Sequence, residues 1–325
     1  MNPFDQSLPF EEKTLRVFEF QKEQNTVYGK FCKALGINKV KEISGIPLLP
    51  IQAFKDVELL VSDNQLPPST LFFESSGTSG MSRSKHFVTD PDLYKESIVR
   101  GVHEFYNRNE FVILAYTPGY NSNPHSSLIW MLDTLIKQDE TGLSQFLELG
   151  KGVNEDLIHE IESKNKRVML FGAAFGLLDL IELGKVILPK DSIIMETGGM
   201  KTHRREMAKY ELHSRLAEGF NLSKENIHSE YGMTELLSQA YSFGDEWFKS
   251  VSWMQVSIRN PENPQEELPF GEEGLIGVID LANLNSCSFI LTGDKGMQKE
   301  DGTFQVLGRW NPINLRGCNF LIDQD

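Results

Sequence analysis

The sequence predicts an α/β fold: a body built on a mostly parallel sheet flanked by helices, followed by a smaller β-rich subdomain. Compact apolar runs at 111–116 and 168–172 alternate with longer segments of helical spacing, as in a parallel sheet covered by helices. After about Ser250 the strand-like segments become short and are separated by Pro, Gly and Asn. The expected division is an α/β body, a β subdomain and a C-terminal tail, at 1–250, 251–308 and 309–325.

The elements follow in order along the chain. Residues 11–35 have helical spacing, which Pro47 and Pro50 interrupt. Asp90 followed by Pro91 is typical of a helix N-terminus, so a helix is expected through about Tyr106. The other expected strands are 71–74, 86–89, 111–116, 168–172, 192–196, 253–258, 274–280 and 303–307, and the other expected helices are 176–183 and 201–220.

Composition excludes several classes of protein. The formal net charge is −14, which argues against a nucleic-acid binder, because such a protein needs a basic surface. Three cysteines in 325 residues do not form a disulfide framework, and this favours a reducing compartment. No secretory signal is visible, and the longest apolar stretch, 168–178, is about half of what a membrane span needs. We therefore expect a cytoplasmic protein without a membrane span.

Residues 75–85 read Ser-Ser-Gly-Thr-Ser-Gly-Met-Ser-Arg-Ser-Lys. Glycines let the backbone approach a ligand closely, while hydroxyls, successive N–H groups and the two cations Arg83 and Lys85 suit phosphate oxygens. The segment is not a Walker A loop, because no Gly-Lys-Ser/Thr has the required spacing. By composition alone it is equally well a flexible polar surface loop.

The order of residues resembles the phosphate loop of the acyl-adenylate-forming superfamily, which includes acyl-CoA synthetases, adenylation domains and luciferases. Three further segments resemble that superfamily in the right order. They are the adenine-wall segment Gly198-Gly199-Met200, the Ser-Glu-Tyr-Gly-Met-Thr-Glu motif at 229–235, and the Leu-Thr-Gly-Asp-Lys-Gly segment at 291–296 with Gly308-Arg309 beyond it. Four matches in order over most of the chain imply the large-domain body of an adenylate-forming enzyme.

The resemblance implies a role for each polar residue. Tyr231 would stack on adenine, Thr234 would donate to the α-phosphate, and Glu235 would bind Mg²⁺. Asp294 would accept the ribose hydroxyls, and Arg309 would reach the ribose or a phosphate. The alternatives are a core aromatic for Tyr231 and a surface ion pair for Asp294 and Arg309.

The resemblance thus implies ATP and Mg²⁺ as cofactors, with Lys85 and Thr234 in catalytic roles and Glu235 as the metal ligand. The residues expected to contact the nucleotide are Ser75, Ser76, Gly77, Thr78, Ser79, Gly80, Gly198, Gly199, Met200, Glu230, Tyr231, Gly232, Met233, Thr234, Asp294 and Arg309.

The C-terminal tail indicates the branch of the superfamily. A typical member continues into a mobile lid domain with a catalytic lysine, whereas only 310–325 follow Arg309 here and no lysine lies beyond Lys299. The hinge segment also lacks the usual aspartate after the arginine. This ending resembles the LuxE-like acyl-protein synthetases, and the chain also resembles phenylacetate-CoA ligase-type enzymes. The LuxE-like enzymes activate a fatty acid and pass the acyl group to a C-terminal cysteine, from which a reductase takes it.

Cys318 is the cysteine that this resemblance selects. A thiolate attacks a mixed anhydride readily, and Arg316 nearby favours the ionised form. The alternative is a buried structural cysteine, which is what most free cysteines are. Cys32, on an expected helix, and Cys287, in an expected strand, are predicted to be core residues.

The resemblance therefore implies ATP-dependent activation of a carboxylic acid, with a fatty acid as substrate and an acyl-CoA reductase-type protein as partner. Two alternatives remain: a ligase that loads coenzyme A or a carrier protein, and a non-catalytic nucleotide-binding subunit of an acyl-reducing complex. Segments 116–125 and 171–175 are candidates for the acid pocket or for close helix–strand packing. The histidines lack metal-ligand spacing, and His103, His159 and His213 are expected on helices and exposed to solvent.

Overall fold

The structure is a computed structural model that describes residues 1–61, 66–75, 83–118, 123–184, 187–198 and 207–310. The described residues contain eight α-helices, fourteen strands and short 3₁₀ turns. The helices are α1 Phe10–Gln24, α2 Thr26–Ala34, α3 Ala53–Asp56, α4 Pro91–Phe105, α5 Ser127–Lys137, α6 Glu155–Ser163, α7 Ala174–Glu182 and α8 Lys209–Phe220. The strands are β1 Leu49–Pro50, β2 Leu71–Glu74, β3 Lys85–Val88, β4 Phe111–Tyr116, β5 Gln145–Phe146, β6 Arg167–Ala173, β7 Ile193–Thr197, β8 Ile227–Tyr231, β9 Ala240–Phe243, β10 Lys249–Ser250, β11 Met254–Arg259, β12 Glu273–Asp280, β13 Phe289–Gln298 and β14 Phe304–Arg309.

The larger sheet has seven strands in the order β10-β9-β8-β7-β6-β4-β5. Its five strands from β8 to β5 run parallel, and β9 and β10 are antiparallel to their neighbours. Strands β4, β7 and β8 are buried along their whole length, as expected for parallel strands covered on both faces. One face packs against α6, α7 and α8 through residues such as Leu114, Leu177 and Leu216. The predicted α/β fold with a parallel sheet is confirmed.

The second sheet has five strands, with β1, β13, β12 and β11 in that order and β14 paired to β13. Only the short β1 pairs in parallel, and the other pairings are antiparallel. The N-terminal helices pack on this sheet: the Tyr28 ring stacks on Phe289 at 5.4 Å, and Gln21 Nε2 donates to the carbonyl of Leu284 at 2.8 Å. One continuous apolar cluster reaches from this sheet to the inner face of the larger one.

Local capping explains where the helices begin. Asp90 accepts a hydrogen bond from the Leu93 N–H at 3.0 Å, so the predicted start of α4 is confirmed. The helical stretch 11–35 is two helices, because Asn25 is extended and its side chain caps α2 at the N–H of Tyr28. The predicted helix 201–220 is described only from Lys209, since 199–206 lie outside the described residues. None of the described helices combines the length and apolar character needed to cross a bilayer.

A buried polar network joins the two sheets. Asp280, at the end of β12, accepts hydrogen bonds from the Leu237 N–H at 2.8 Å and the Ser238 hydroxyl at 2.5 Å. Trp253 Nε1 donates to the Ser238 hydroxyl oxygen at 2.9 Å, and the Ser97 hydroxyl on α4 donates to the Leu237 carbonyl at 2.7 Å. Burial raises the pKa of Asp280 to about 6, although its hydrogen-bond donors oppose the shift. The network therefore fixes the segment after β8 to the second sheet.

We expect Asp280→Ala to destabilise the protein by about 3 kcal/mol or more, because it leaves the Leu237 and Ala282 N–H groups and the Ser238 hydroxyl buried without an acceptor. Denaturant unfolding near neutral pH measures the loss. Asp301→Ala is the matched control, since the Asp301 carboxylate accepts two hydrogen bonds from Thr303 at an exposed turn. Similar losses for the two variants would contradict a special role for the buried network.

Candidate active site

The candidate site lies at the carboxyl edge of the parallel sheet, where β7 ends at Thr197 and β8 ends at Tyr231. Ligands of open α/β sheets bind outside the carboxyl ends of the strands. The second sheet adds Asp294 from β13 and Arg309 from β14, which are directly opposed in the antiparallel register. Both sheets therefore contribute polar residues to the same place.

Tyr231, Asp294 and Arg309 form one connected group. The Tyr231 hydroxyl donates to Asp294 Oδ2 at 3.0 Å, and Arg309 Nε lies 3.1 Å from Asp294 Oδ1. Asp294 is buried at 7 % exposure, whereas 63 % of the Arg309 side chain is exposed. The Tyr231 ring packs against the stacked pair Phe248 and Phe304, with centroids at 5.9 and 5.6 Å. Tyr231 and Arg309 thus hold the Asp294 carboxylate from both sides, and the predicted contacts of Asp294 and Arg309 with ribose or phosphate stay predictions.

The β2–β3 hairpin frames the predicted phosphate loop. The Ser75 N–H donates to the Ser84 carbonyl at 3.1 Å, and the Ser84 N–H donates to the Ser75 hydroxyl at 3.0 Å. Arg83 and Lys85 each place a cationic nitrogen 3.6 Å from the Glu74 carboxylate, and both side chains are about half exposed. The hairpin therefore holds two cations at the base of the loop. Five predicted phosphate-loop residues lie outside the described part of the chain: Ser76, Gly77, Thr78, Ser79 and Gly80.

The 232–236 turn follows β8 and carries Met233, Thr234 and Glu235. The Leu236 N–H donates to the Met233 carbonyl at 3.1 Å, which closes the turn, and Glu235 is buried at 5 % exposure. At Gly232 a Cβ would lie 2.4 Å from Glu230 Oε1, so a larger residue would displace the Glu230 carboxylate. The turn therefore follows directly on Tyr231 and packs against the Glu230 side chain.

Two buried side chains hold the carbonyls of this turn. His86 Nδ1 donates to the Thr234 carbonyl at 2.8 Å, and Asn283 Nδ2 donates to the Glu235 carbonyl at 2.7 Å. Neither residue was predicted from the sequence. The sequence offers little indication of either role. His86 is followed by the apolar residues Phe87 and Val88, and Asn283 lies between apolar residues.

Gly198 directly follows β7 with φ at +72°, a left-handed conformation that glycine adopts without strain. Gly199 and Met200, the rest of the predicted adenine-wall segment, lie beyond the described residues. Beside Gly198, the Thr197 hydroxyl donates to the Glu230 carboxylate, and Glu230 is buried at 6 % exposure. Burial raises the pKa of Glu230 to about 7, although the Thr197 hydrogen bond opposes the shift. The predicted contact between Glu230 and nucleotide stays a prediction.

A second buried carboxylate lies on the opposite face of the same strands. Glu196 Oε1 is 3.6 Å from both Lys209 Nζ and His213 Nε2, and the His213 nitrogen is 3.1 Å from the Ser229 hydroxyl. Burial opposes ionisation of Glu196, but Lys209 and the hydrogen bonds outweigh it, so its pKa is lowered. The prediction that His213 is exposed to solvent is wrong, because α8 turns this residue onto the sheet at 4 % exposure. His103 and His159 are exposed, as predicted.

The two described cysteines are buried. Cys32 is 1 % exposed and Cys287 is 0 % exposed, which confirms their predicted place in the core. Cys287 lies just before β13 instead of inside a strand. Burial raises the pKa of Cys32, and it raises the pKa of Cys287 to about 12. Both are therefore poor nucleophiles near neutral pH. Cys318 and Arg316 lie outside the described residues.

The two candidate segments for the acid pocket pack against each other. A Cβ at Gly172 would lie 2.6 Å from the Tyr116 carbonyl and 2.9 Å from Leu177 Cδ2. Small residues in 171–175 thus serve close packing between β6, α7 and β4. At the other end of the first segment, the His125 ring stacks on Phe72 of the hairpin at 3.9 Å.

Two sequence comparisons relate this chain to known proteins. Residues 139–325 match the family model described as acyl-protein synthetase, LuxE. The long-chain-fatty-acid–luciferin-component ligase of Vibrio harveyi is 22 % identical over 94 % of this chain and 85 % of that protein.

Solved structures share the fold. A 2-hydroxyisobutyryl-CoA ligase in complex with 2-HIB-AMP and CoA has a TM-score of 0.62 at 13 % identity, over 92 % of this chain and 67 % of that one. ATP-bound MatB from Rhodopseudomonas palustris has a TM-score of 0.52 at 16 % identity, over 77 % of this chain and 48 % of that one. The match therefore spans about half the length of MatB. Because the family model covers more than half of the sequence, and the fold is that of adenylate-forming ligases, this chain belongs to the acyl-protein synthetase, LuxE, family.

Proposed function

We propose that this chain activates a fatty acid with ATP and passes the acyl group to its own thiol, Cys318. One observation carries the first half of this proposal. A hydrogen bond from His86 connects the hairpin to the Thr234 carbonyl, and Tyr231 and Arg309 both contact the Asp294 carboxylate. The residues proposed to contact phosphate, adenine and ribose are therefore close to one another in the structure.

In the first half-reaction, a carboxylate oxygen of the fatty acid attacks the α-phosphorus of ATP. The bond from that phosphorus to the bridging oxygen breaks, and pyrophosphate leaves with the electron pair. Such a transfer needs in-line positioning and neutralisation of phosphate charge. Lys85 and the loop hydroxyls hold the phosphates, Thr234 donates to the α-phosphate, and Asp294 accepts from the ribose hydroxyls. The products are acyl-AMP and pyrophosphate.

Glu235 fits a magnesium ion that arrives with the nucleotide. Mg²⁺ prefers oxygen ligands and is usually held by one or two carboxylates plus substrate phosphates. Within the described part of the chain, no group of three or more His, Cys, Asp or Glu residues could hold a metal without a substrate. A single buried carboxylate next to Thr234 matches that requirement. The bound ion would neutralise charge on the triphosphate.

In the second half-reaction, the Cys318 thiolate attacks the acyl carbon and AMP leaves as the phosphate anion. This gives a thioester, and an acyl reductase is the proposed acceptor. Elimination supports Cys318, because the chain has three cysteines and the other two are buried with raised pKa values. Family membership supports a protein thiol over coenzyme A.

The wild-type protein should release pyrophosphate from ATP only when a long-chain fatty acid is present. Asp294→Asn should raise the KM for ATP about tenfold to a hundredfold, because hydrogen bonds to a charged group contribute about 1.5–3 kcal/mol each. The matched control is Glu273→Gln, which removes an exposed carboxylate paired with Lys295 on the neighbouring strand. Absence of acid-dependent release, together with absence of ATP binding, would contradict adenylation.

Labelled fatty acid with ATP should leave a thioester on the wild-type protein and none on Cys318→Ser. The variants Cys32→Ser and Cys287→Ala should keep the label, because these buried thiols are poor nucleophiles. Intact-protein and peptide mass spectrometry measures the acylated residue. An acyl label that survives in Cys318→Ser would rule out this thiol. Acyl transfer to coenzyme A by Cys318→Ala at the wild-type rate would instead favour a coenzyme A ligase.

Glu230 generates a prediction about pH, because its pKa of about 7 in the folded protein exceeds the ordinary value of 4.5. Between those values the folded protein retains a proton that the unfolded chain has released, so this group's contribution to stability falls as pH rises. Glu230→Gln keeps an acceptor for Thr197 without the charge. At pH 8 it should be more stable than the wild type by on the order of 2 kcal/mol.

Chemical denaturation from pH 4 to pH 8 measures this difference. The advantage of Glu230→Gln should shrink towards zero near pH 4, where the wild-type carboxyl is protonated in both states. The exposed Glu262, replaced by Gln, is the control and should show no comparable trend. A constant difference across the pH range would exclude titration of Glu230 as the cause.

A further inference from the structure

His86 is a buried histidine that donates a hydrogen bond to the backbone of the 232–236 turn. It is 1 % exposed on β3, and its Nδ1 lies 2.8 Å from the Thr234 carbonyl oxygen. Because a carbonyl only accepts, Nδ1 carries the hydrogen. Burial lowers the pKa of His86 to about 4, against the opposing effect of the bond to Thr234. The ring is therefore neutral near pH 7, in the tautomer protonated on Nδ1. The Phe54 ring meets it edge-on at 5.4 Å, which fixes its plane.

Asn283 holds the next residue from a different part of the fold. It ends the 3₁₀ turn Leu281–Asn283 after β12 and is completely buried. Its Nδ2 donates to the Glu235 carbonyl at 2.7 Å. The backbone of Asn283 is itself fixed, because its carbonyl accepts from Gln21 Nε2 on α1 at 3.0 Å.

Two consecutive carbonyls are thus held by donors from two different elements. The donor to the Thr234 carbonyl is His86 of β3, which directly follows Lys85. The donor to the Glu235 carbonyl is Asn283, in the 3₁₀ turn that follows β12 of the second sheet. A carbonyl removed from water needs a donor for stability alone, so the informative feature is that two side chains from separate elements serve consecutive carbonyls. A pair of such donors fixes the rotation of the backbone between Thr234 and Glu235, and this rotation sets where both side chains point.

We propose that His86 and Asn283 are positioning residues that align Thr234 and Glu235 with the phosphate loop for adenylation. Neither side chain touches the reacting atoms. His86 fixes the position of the turn relative to the hairpin, and Asn283 fixes it relative to the second sheet. This inference rests on the proposed function, since it assigns the two residues to the same reaction.

Four variants separate positioning from packing. His86→Leu removes the donor, while His86→Asn places an amide N–H near the position of Nδ1 and keeps it. Asn283→Leu removes the second donor, and the double variant His86→Leu/Asn283→Leu tests whether both act through one segment. His228→Leu is the matched control: His228 is a buried histidine on β8 that contacts the Tyr106 hydroxyl at 2.8 Å and the Glu225 carbonyl at 3.0 Å.

The kinetic readout is fatty-acid-dependent pyrophosphate release per folded molecule, below the melting temperature of each variant. We expect His86→Leu to lower kcat about tenfold to a hundredfold, in line with other residues that orient ligating groups, with little change in KM for the acid. His86→Asn should recover most of kcat, and His228→Leu should keep it. The double variant should lose less than the product of the single losses, because both residues act on one turn. Equal kcat for His86→Leu and wild type, or equal loss in His86→Asn and His86→Leu, would overturn the proposal.

A second readout needs no nucleotide and separates this inference from the proposed function. Hydrogen exchange of the Leu236 and Leu237 amides reports the turn, because these groups donate to the Met233 carbonyl and to Asp280. Exchange should accelerate in His86→Leu and return towards the wild-type rate in His86→Asn. If the wild type releases no pyrophosphate, the proposed function fails, and this exchange still tests the positioning. Unchanged exchange in His86→Leu would overturn it.

Discussion

The Asp280 carboxylate is the interaction on which the candidate site most depends, because the site exists only where the two sheets meet. Thr234 and Glu235 follow a strand of the parallel sheet, whereas Asp294 belongs to the antiparallel one. Asp280 binds the backbone directly after Glu235 to the end of β12. The Tyr231–Asp294 hydrogen bond makes the same connection at the surface of the site. If the two sheets separated, the residues of the candidate site would move apart although each side chain was still present.

Three buried carboxylates near this junction behave differently because their surroundings differ. Asp280 accepts three hydrogen bonds, which limit the effect of burial on its pKa. Glu196 has Lys209 as a counter-ion, and its pKa is lowered despite burial. Glu230 accepts a hydrogen bond from the Thr197 hydroxyl, but this does not offset the effect of burial, which raises its pKa. A carboxyl group with a raised pKa and one with a lowered pKa thus lie on opposite faces of the same two strands.

Features that depend on neighbouring residues could be predicted from the sequence, whereas those that depend on long-range packing could not. Asp90 before Pro91 is enough to predict the start of a helix. The order of the motifs was enough to assign Asp294 and Arg309 to one site, and the two side chains are in contact. His213 resembles any polar residue on a helix, and its burial depends on how α8 lies on the sheet. His86 and Asn283 bind backbone carbonyls that are 148 and 48 residues away, and side-chain type alone does not encode such contacts. The alternation of residues along a strand predicts which face of the sheet a side chain lies on, but not which distant residue it contacts.

The distribution of thiols bears on how an acyl group could leave the site. A thioester forms at the thiol that combines access with ionisation, and burial removes both from Cys32 and Cys287. Core cysteines that cannot ionise near neutral pH do not compete for an activated acid, which leaves Cys318 as the thiol proposed to be acylated. An enzyme that makes a reactive anhydride benefits when its other thiols are buried. The burial of Cys32 and Cys287 is therefore consistent with the proposed acylation of the third cysteine.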